Sequence, residues 1–272
     1  MKLAANISLL FTELEPLERI GAAQAAGFSG VELLFPYDLD ARAIGSEARA
    51  RGMTVVQINS PPGNREAGEV GFAALPGREA RFQDSVRQAL AFLGDCGSSQ
   101  LHVLAGVPAA GTDAALVQET YVRNLQWAAD IAATAGVRIM IEPLNTRDTP
   151  GYALTTLAQA AQVLQAVARP NVGLQFDVYH SQIMGGDLTY RLRQLGHLVR
   201  HVQISGPPDR NEPDRGEVNV YHVLRTLAAL GYDGWVSAEY RPTAGTLAGL
   251  GWMRELAALG FGAADQFQLP AR

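Results

Sequence analysis

Four side chains with oxygen atoms each stand at the end of a short apolar run of the sequence: Glu142, Asp177, Gln203 and Glu239. They recur at intervals of roughly 30 residues, the length that one strand, one helix and two loops need. A strand that ends in a polar side chain before a helix is typical of a βα unit with chemistry at the carboxyl end of the strand. We therefore predict that the four side chains share one rim of a barrel.

Three carboxylates and one amide carbonyl form a set of hard oxygen ligands. Such ligands suit Mg²⁺ or Mn²⁺ better than zinc or copper. Without a cation, three converging carboxylates would repel one another, and at least one would take up a proton. The alternative is that each acid caps a strand or pairs with an arginine. Four such side chains on successive strand ends favour a divalent metal held by Glu142, Asp177, Gln203 and Glu239.

Two glutamates beside one metal can also transfer protons. If Glu142 and Glu239 lie on opposite faces of a substrate, one can remove a proton from a carbon next to a carbonyl, and the other can protonate the neighbouring atom. The metal would hold the substrate oxygens and stabilise the enediolate. This is the chemistry of aldose–ketose isomerisation or epimerisation, and it needs no organic cofactor. Either glutamate can be the base, because the two exchange roles with the direction of the reaction.

Further polar residues are candidates for substrate binding. Arg210 is the best candidate for a substrate carboxylate, because its planar fork matches one with two hydrogen bonds; the alternative is a loop arginine paired with Glu212 or Asp214. His180 follows Asp177 closely and could donate to a substrate oxygen, although a structural histidine is the alternative. The substrate-binding candidates are His180, Arg210, Asp148 and Glu212.

The order of apolar runs predicts the fold. Eight strand–helix repeats follow one another without a shift in composition, and the strands are continuous apolar runs, as parallel strands covered by helices are. We predict a single-domain (β/α)8 TIM barrel over residues 1–260, with a C-terminal tail at 261–272. A doubly wound sheet is the alternative, but the glycine fingerprint of a dinucleotide fold is absent after the first run, where Phe11 to Leu14 stand. The long loop 59–77 follows the third strand and should lie over the active rim.

Composition excludes several classes of protein. The only lysine is Lys2, before the first strand, which disfavours Schiff-base and pyridoxal phosphate chemistry. A net charge of −5 argues against a nucleic-acid partner. No segment approaches the ~20 apolar residues of a membrane span. The single cysteine, Cys96, cannot form an internal disulfide and favours a cytoplasmic location, with a buried thiol rather than a catalytic one. The composition leaves open whether the protein forms a homo-oligomer.

Three segments resemble the hydroxypyruvate isomerase family of xylose isomerase-like barrels: IEPLNTRD at 141–148, FDVYH at 176–180 and GPPDRNEPDRGEVN at 206–219. The resemblance spans nearly the whole chain. It implies Glu142 and Glu239 as the proton-transfer pair, and both of them with Asp177 and Gln203 as the metal ligands. Related ketose epimerases usually carry histidine at the position of Gln203, so the glutamine favours the hydroxypyruvate branch. One departure is Asn211, where the family often has histidine.

The predicted function is therefore metal-assisted isomerisation of a small 2-oxo acid, most simply hydroxypyruvate to tartronate semialdehyde (2-hydroxy-3-oxopropanoate). The family also includes 2-oxo-tetronate isomerases, and a ketose 3-epimerase would use the same two glutamates. An abasic-site endonuclease on the same barrel would need several metals, many histidines and a basic groove, whereas this chain has five histidines and is acidic. A non-catalytic sugar-acid-binding barrel would tolerate the loss of a glutamate, but both are present.

Overall fold

The computed structural model describes residues 1–258; the predicted tail, 261–272, lies outside this range. Strands and helices alternate along the chain. The strands are β1 (Lys2–Asn6), β2 (Gly30–Leu33), β3 (Thr54–Asn59), β4 (Gln100–His102), β5 (Arg138–Ile141), β6 (Val172–Asp177), β7 (Val199–Ile204) and β8 (Trp235–Ala238). The helices are α1 (Glu18–Ala25), α2 (Ala41–Ala50), α3 (Glu79–Cys96), α4 (Ala114–Thr134), α5 (Leu157–Val167), α6 (Val178–Met184), α7 (Leu188–Leu195), α8 (Val220–Ala229) and α9 (Trp252–Ala258).

The eight strands form a closed barrel in which each strand is parallel to the next. The barrel closes between β1 and β8, where Leu3 pairs with Val236 and Ala5 with Ala238. This arrangement confirms the predicted single-domain (β/α)8 TIM barrel. Because all strands run the same way, their carboxyl ends and the loops that follow them meet at one rim.

Polar side chains fix where several of the helices begin. Asp40 accepts hydrogen bonds from the first backbone N–H groups of α2. Thr156 and Gln159 form a reciprocal capping box at the start of α5. Asp177, the last residue of β6, caps α6 through the N–H groups of Tyr179 and His180. One carboxylate therefore ends a strand and starts a helix at the same point.

Two predicted segments need correction, and one short helix has no counterpart in the sequence prediction. The apolar run 3–11 predicts a first strand that reaches Phe11, but the strand ends at Asn6, because the Asn6 side chain accepts from the Ser8 N–H and turns the chain. The sequence predicts a helix over 246–259, but the described part of this segment forms a 3₁₀ turn, Leu247–Gly249, followed by α9. Helix α6 was not predicted, because seven residues are too few to show a helical period.

The barrel interior contains a polar layer. Hydrogen bonds join side chains of strands that are not neighbours, such as Glu32 of β2 with His201 of β7, and Gln57 of β3 with Gln175 of β6. All four residues are fully buried, so these bonds must cross the inside of the barrel. TIM barrels usually fill this space with branched apolar side chains. The apolar core of this protein therefore lies mainly between the barrel wall and the surrounding helices.

The long loop between β3 and α3 is ordered against the rim. Its residues Ala73 and Ala74 donate backbone hydrogen bonds to the carbonyls of Leu104 and Ala105, which follow β4. Phe72 is buried beneath the guanidinium of Arg81. The loop thus covers part of the rim, as predicted. Across residues 1–258, no helix combines the length and the apolar character needed to cross a lipid bilayer.

Candidate active site at the carboxyl rim of the barrel

The strand register brings the four predicted oxygen-bearing side chains to one rim. Asp177 pairs with Gln203, and Gln203 pairs with Ser237, so β6, β7 and β8 end at the same level. Glu142 and Glu239 are the first residues after β5 and β8. All four side chains are buried, with 5% or less of their surface exposed. Separate βα units therefore contribute to a single polar centre.

Glu142, Asp177 and His180 form the tightest cluster of this centre. One ligand-type atom of each lies within 4.8 Å of the others. Glu142 Oε1 and Asp177 Oδ2 are buried and have no hydrogen-bond partner among the described residues. The other oxygens of the two carboxylates are fixed, because Glu142 Oε2 accepts from Gln175 and Asp177 Oδ1 accepts from the N-terminus of α6. Each carboxylate thus holds one oxygen ready for a ligand.

The carboxylates of the site resist ionisation together. Burial, followed by the charges of Asp177 and Glu239, raises the pKa of Glu142 well above its usual range. Burial raises the pKa of Glu239 to about 8, although the charge of Arg210 opposes this shift. Burial likewise raises the pKa of Asp177 to about 6, against Arg210 and two backbone N–H groups. A cation placed among them would favour their charged forms.

This arrangement fits a divalent cation. Two buried oxygens without hydrogen-bond partners, on carboxylates with raised pKa values, are the donors that a hard cation binds. The buried group of Glu142, Asp177 and His180 is therefore a candidate metal site, in which the two carboxylates supply the ligand atoms. The full predicted set differs from this cluster, because Glu239 lies outside it and is paired with Arg210.

Arg210 reaches the centre from the loop between β7 and α8. Its Nη2 donates to Glu239 Oε1 at 2.6 Å and lies 3.5 Å from Asp177 Oδ2. The guanidinium stacks over the ring of Tyr179 at 5.0 Å. The residue adopts a left-handed backbone conformation, with φ of 59°, which is unfavourable for a side chain other than glycine. The unfavourable backbone conformation of Arg210 therefore goes together with the placement of its guanidinium in the site.

His180 is held by its neighbours as a neutral hydrogen-bond donor. Its Nδ1 accepts from the Asn145 backbone N–H at 3.0 Å and lies 2.7 Å from the Asn145 amide nitrogen. Burial and then the charge of Arg210 keep the pKa of His180 well below its ordinary value. We assign the ring proton to Nε2, which lies 3.9 Å from Glu142 Oε1 and 3.8 Å from Asp177 Oδ2. A protonated Nε2 can donate to a substrate oxygen but cannot bind a metal.

The other two substrate-binding candidates occupy different positions. Asp148 is exposed at the edge of the site, where its Oδ2 lies 3.9 Å from Nη1 of Arg210. Glu212 is buried, and its carboxylate accepts from the backbone N–H and the hydroxyl of Thr243. That bond fastens the β7–α8 loop to the segment after β8. A substrate contact for either residue stays a prediction.

Sequence reasoning missed the polar layer beneath the rim. Glu32, Gln57 and Gln175 each stand in the middle of an apolar strand, which is the signal that could have revealed them. A neighbour, His102, is also buried, and its Nδ1 lies 3.2 Å from Asn59 Oδ1 and 3.4 Å from Glu142 Oε2. Burial lowers the pKa of His102 to about 3, so this ring is neutral.

Comparison with known proteins places this geometry in a family. The sequence pattern of the xylose isomerase-like TIM barrel matches residues 20–256. The 2-oxo-tetronate isomerase of Cupriavidus necator is 44% identical over 253 residues, which cover 93% of this chain and 97% of that protein. The hydroxypyruvate isomerase of Escherichia coli strain K12 is 36% identical, covering 93% and 98%. The chain belongs to the hydroxypyruvate isomerase family. It is therefore an isomerase, and the predicted family resemblance is confirmed.

A solved structure with a similar level of sequence identity to this chain has a different functional name. The crystal structure of AP endonuclease, family 2, from Brucella melitensis is 43% identical, covers 94% of this chain and 98% of that chain, and superposes with a TM-score of 0.90. It shares the barrel described above. Isomerases and a protein named as an endonuclease therefore share this scaffold. Because the fold alone does not determine the activity, the function has to be argued from the residues of the site.

Proposed function

We propose that this isomerase interconverts a short 2-oxo acid and its aldehyde isomer, with hydroxypyruvate and tartronate semialdehyde as the leading pair. The observation that carries the proposal is the pair of buried oxygens without hydrogen-bond partners, Glu142 Oε1 and Asp177 Oδ2, with Arg210 and His180 around them. Such a site has carboxylates for a cation and for proton transfer. It also has two donors for the oxygens of an acid.

The metal of the proposal is Mg²⁺ or Mn²⁺. Glu142, Asp177, Gln203 and Glu239 would hold it, and all four offer oxygen atoms at the rim. When bound, such an ion supplies Lewis-acid stabilisation of negative charge on the substrate oxygens. For Glu239 to join the set, its carboxylate must exchange its contact with Arg210. That exchange would release the guanidinium for the substrate carboxylate.

The residues of the chain then move the protons. One of Glu142 and Glu239 removes a proton from C3 of hydroxypyruvate, which leaves an enediolate between C2 and C3. The other glutamate delivers a proton to C2, while the proton of the C3 hydroxyl passes to the oxygen on C2. The product is an aldehyde at C3 with a hydroxyl at C2, so no atom is gained or lost. His180 Nε2–H would hydrogen-bond the C2 oxygen as its charge develops.

Two other substrates remain candidates. The 44% identical relative from Cupriavidus necator is named for 2-oxo-tetronate, which adds one carbon to the same 2-oxo acid group. Free ketoses would use the same glutamates without a carboxylate for Arg210. An abasic DNA site is disfavoured, because buried carboxylates and a net charge of −5 repel phosphate. We propose no organic cofactor and no nucleic-acid partner.

Proton exchange tests the proposal directly. The protein is incubated in D₂O with hydroxypyruvate, a 2-oxo-tetronate or a free ketose, with Mg²⁺, Mn²⁺ or EDTA, and NMR follows the carbon-bound protons. We expect metal-dependent deuterium uptake at C3 of hydroxypyruvate and formation of the aldehyde. Glu239→Gln should abolish both, whereas Glu47→Gln, in an ion pair on α2, should not.

Each outcome assigns the substrate. Exchange with only the four-carbon acid would move the substrate to 2-oxo-tetronate, and exchange with only the ketose would establish a sugar epimerase. No exchange with any of them, in folded protein with either metal, would contradict the proposal. Cleavage of an abasic oligonucleotide in a parallel assay would favour the activity named for the Brucella melitensis protein.

A further inference from the structure

A chain of hydrogen bonds connects Glu32, deep in the barrel, with the rim. Gln203 Nε2 donates to Glu32 Oε1 at 2.5 Å, and His201 Nε2 lies 2.6 Å from Glu32 Oε2, to which we assign it as the donor because a carboxylate only accepts. Asn6 Nδ2 is the third donor to this carboxylate, and it contacts Oε1 at 2.9 Å. Glu32 is fully buried on β2, whereas Gln203 and His201 belong to β7 on another side of the barrel. The carboxylate therefore receives three hydrogen bonds inside the barrel.

The chain continues from Gln203 to the rim glutamate. Gln175 Nε2 donates both to Gln203 Oε1 at 2.7 Å and to Glu142 Oε2 at 2.8 Å. Gln175 Oε1 in turn accepts from Gln57 Nε2 at 2.6 Å. Every one of these groups is buried, so bulk water does not compete for the bonds.

The two carboxylates dictate which way each amide points. A carboxylate only accepts hydrogen bonds, so Gln203 must turn its NH₂ group toward Glu32, and Gln175 must turn its NH₂ group toward Glu142 when a bound cation keeps Glu142 ionised. The Gln203 carbonyl oxygen is consequently left on the side of Gln175 and Glu142. A carbonyl oxygen has two lone pairs, and Gln175 occupies one of them. If the Gln203 amide were turned the other way, its NH₂ group would face the cation. The partial positive charge on its N–H groups would repel the cation.

We propose that Glu32 is a positioning residue, which orients the Gln203 amide through a direct hydrogen bond so that its carbonyl oxygen is offered to the divalent cation. The inference rests on the proposed function, in which Gln203 is a metal ligand. Through Gln175, the same chain also holds the Glu142 carboxylate. Neither Glu32 nor Gln175 touches the substrate, and both act through the residues of the rim.

The test measures binding of Mn²⁺ alone, by electron paramagnetic resonance of the free ion and by calorimetry. Glu32→Gln removes the charge and the obligatory acceptor, and we expect Mn²⁺ affinity to fall about tenfold or more, as is typical for residues that orient metal ligands. Glu32→Asp keeps the charge beside His201 but draws the carboxylate back from Gln203. We expect an intermediate loss of about threefold to tenfold for this variant. Glu47→Gln should bind Mn²⁺ as the unchanged protein does.

The aspartate variant separates orientation from simple charge. If only the charge of Glu32 attracted the cation, Glu32→Asp would bind Mn²⁺ like the unchanged protein, and that result would overturn the inference. Circular dichroism and thermal melting in EDTA establish that each variant is folded. If Glu32→Gln does not fold, the Mn²⁺ affinity of Glu32→Asp alone tests the positioning role of Glu32. Equal affinity in all folded variants also overturns the inference.

Catalysis supplies a second readout. In the D₂O assay, we expect kcat of Glu32→Asp to fall more than KM rises, because the substrate contacts at Arg210 and His180 are unchanged. If the unchanged protein catalyses metal-dependent exchange and the Glu32 variants match it, only the positioning inference fails. If the unchanged protein neither binds Mn²⁺ nor catalyses exchange, the proposed function fails and the inference falls with it.

Discussion

Arg210 Nη2 donates to Glu239 Oε1 at 2.6 Å, and this bond joins the loop after β7 to the end of the neighbouring strand β8 at the mouth of the barrel. The same guanidinium faces Asp177 and Asp148, and burial of the charge is offset by these carboxylates. Attraction to Glu239 and Asp177 outweighs desolvation and raises the pKa of Arg210, so this cation stays charged. One arginine therefore balances the carboxylates and is available for an acid substrate.

We predict that Arg210→Lys lowers kcat/KM for hydroxypyruvate by about 100-fold, the size of loss that misplacement of a reacting group can cause. Lysine keeps the charge but lacks the planar fork, so it cannot contact Glu239 and a substrate carboxylate with the same geometry. Steady-state kinetics check this. Arg169→Lys, which changes a surface pair with Asp130, serves as the matched control and should leave kcat/KM unchanged. A kcat/KM of Arg210→Lys within threefold of that of the control variant would contradict the role of Arg210 in binding the substrate carboxylate.

Histidine 180 offers a second prediction. His180→Phe keeps a ring at this position but removes the Nε2–H donor, and we expect kcat/KM to fall by about 10- to 100-fold, equivalent to one hydrogen bond of about 1.5–3 kcal/mol to a charged group. The exposed His222, which pairs with Thr189, provides the control His222→Phe. Unchanged kinetics for His180→Phe, with normal folding, would leave His180 with a structural role.

The barrel and its rim could be predicted from the sequence because each signal was local. Apolar runs bounded by turn residues locate the strands: the runs at 199–204 and 235–238 predict the seventh and eighth strands with the bounds that β7 and β8 have. Glu142 and Glu239 mark strand ends directly, so their shared rim follows from parallel topology. In physical terms, a carboxylate that directly follows a buried apolar strand is expected where the strand reaches the polar mouth of the barrel, because there it can find polar partners.

The hydrogen bonds of the polar layer and the ion pairing at the rim could not be predicted in the same way. Glu32 and His201 lie 169 positions apart, and only the closure of the barrel brings them to 2.6 Å. The sequence shows polar residues within strands but not which ones meet across the interior. The pairing of Arg210 with Glu239 likewise depends on a left-handed residue in an irregular loop. Helix α6 depends on one cap, Asp177, rather than on a periodic pattern.

The packing of α2 against α3 gives a prediction about stability. A Cβ added at Gly45 of α2 would lie 2.6 Å from the Cys96 carbonyl oxygen, whereas a Cβ added at Gly94 of α3 meets no atom within 4 Å. Overpacking against backbone costs roughly 1–3 kcal/mol. Alanine in place of an exposed helical glycine gains roughly 0.5–1 kcal/mol.

Gly45→Ala should therefore lower the free energy of unfolding by up to about 2.5 kcal/mol, the overpacking cost less the gain in helix propensity. Gly94→Ala should raise it by about 0.5–1 kcal/mol. Urea unfolding followed by tryptophan fluorescence measures both, with equal slopes expected. A stabilising Gly45→Ala would show that the close contact between α2 and α3 is absent in solution.

Cys96 reports on the same helix contact through its chemistry. The thiol is buried at the end of α3, and burial raises its pKa above the ordinary value. A raised pKa means less thiolate at any given pH, and thiolate is the form that reacts with disulfide reagents. We expect labelling of the folded protein at pH 8 to be at least 100-fold slower than labelling in urea, since reaction must await local opening. Gly45→Ala should speed the folded-state reaction, whereas Gly94→Ala should slow it or leave it unchanged. Labelling of the folded protein at the rate of a free thiol would show that Cys96 is accessible.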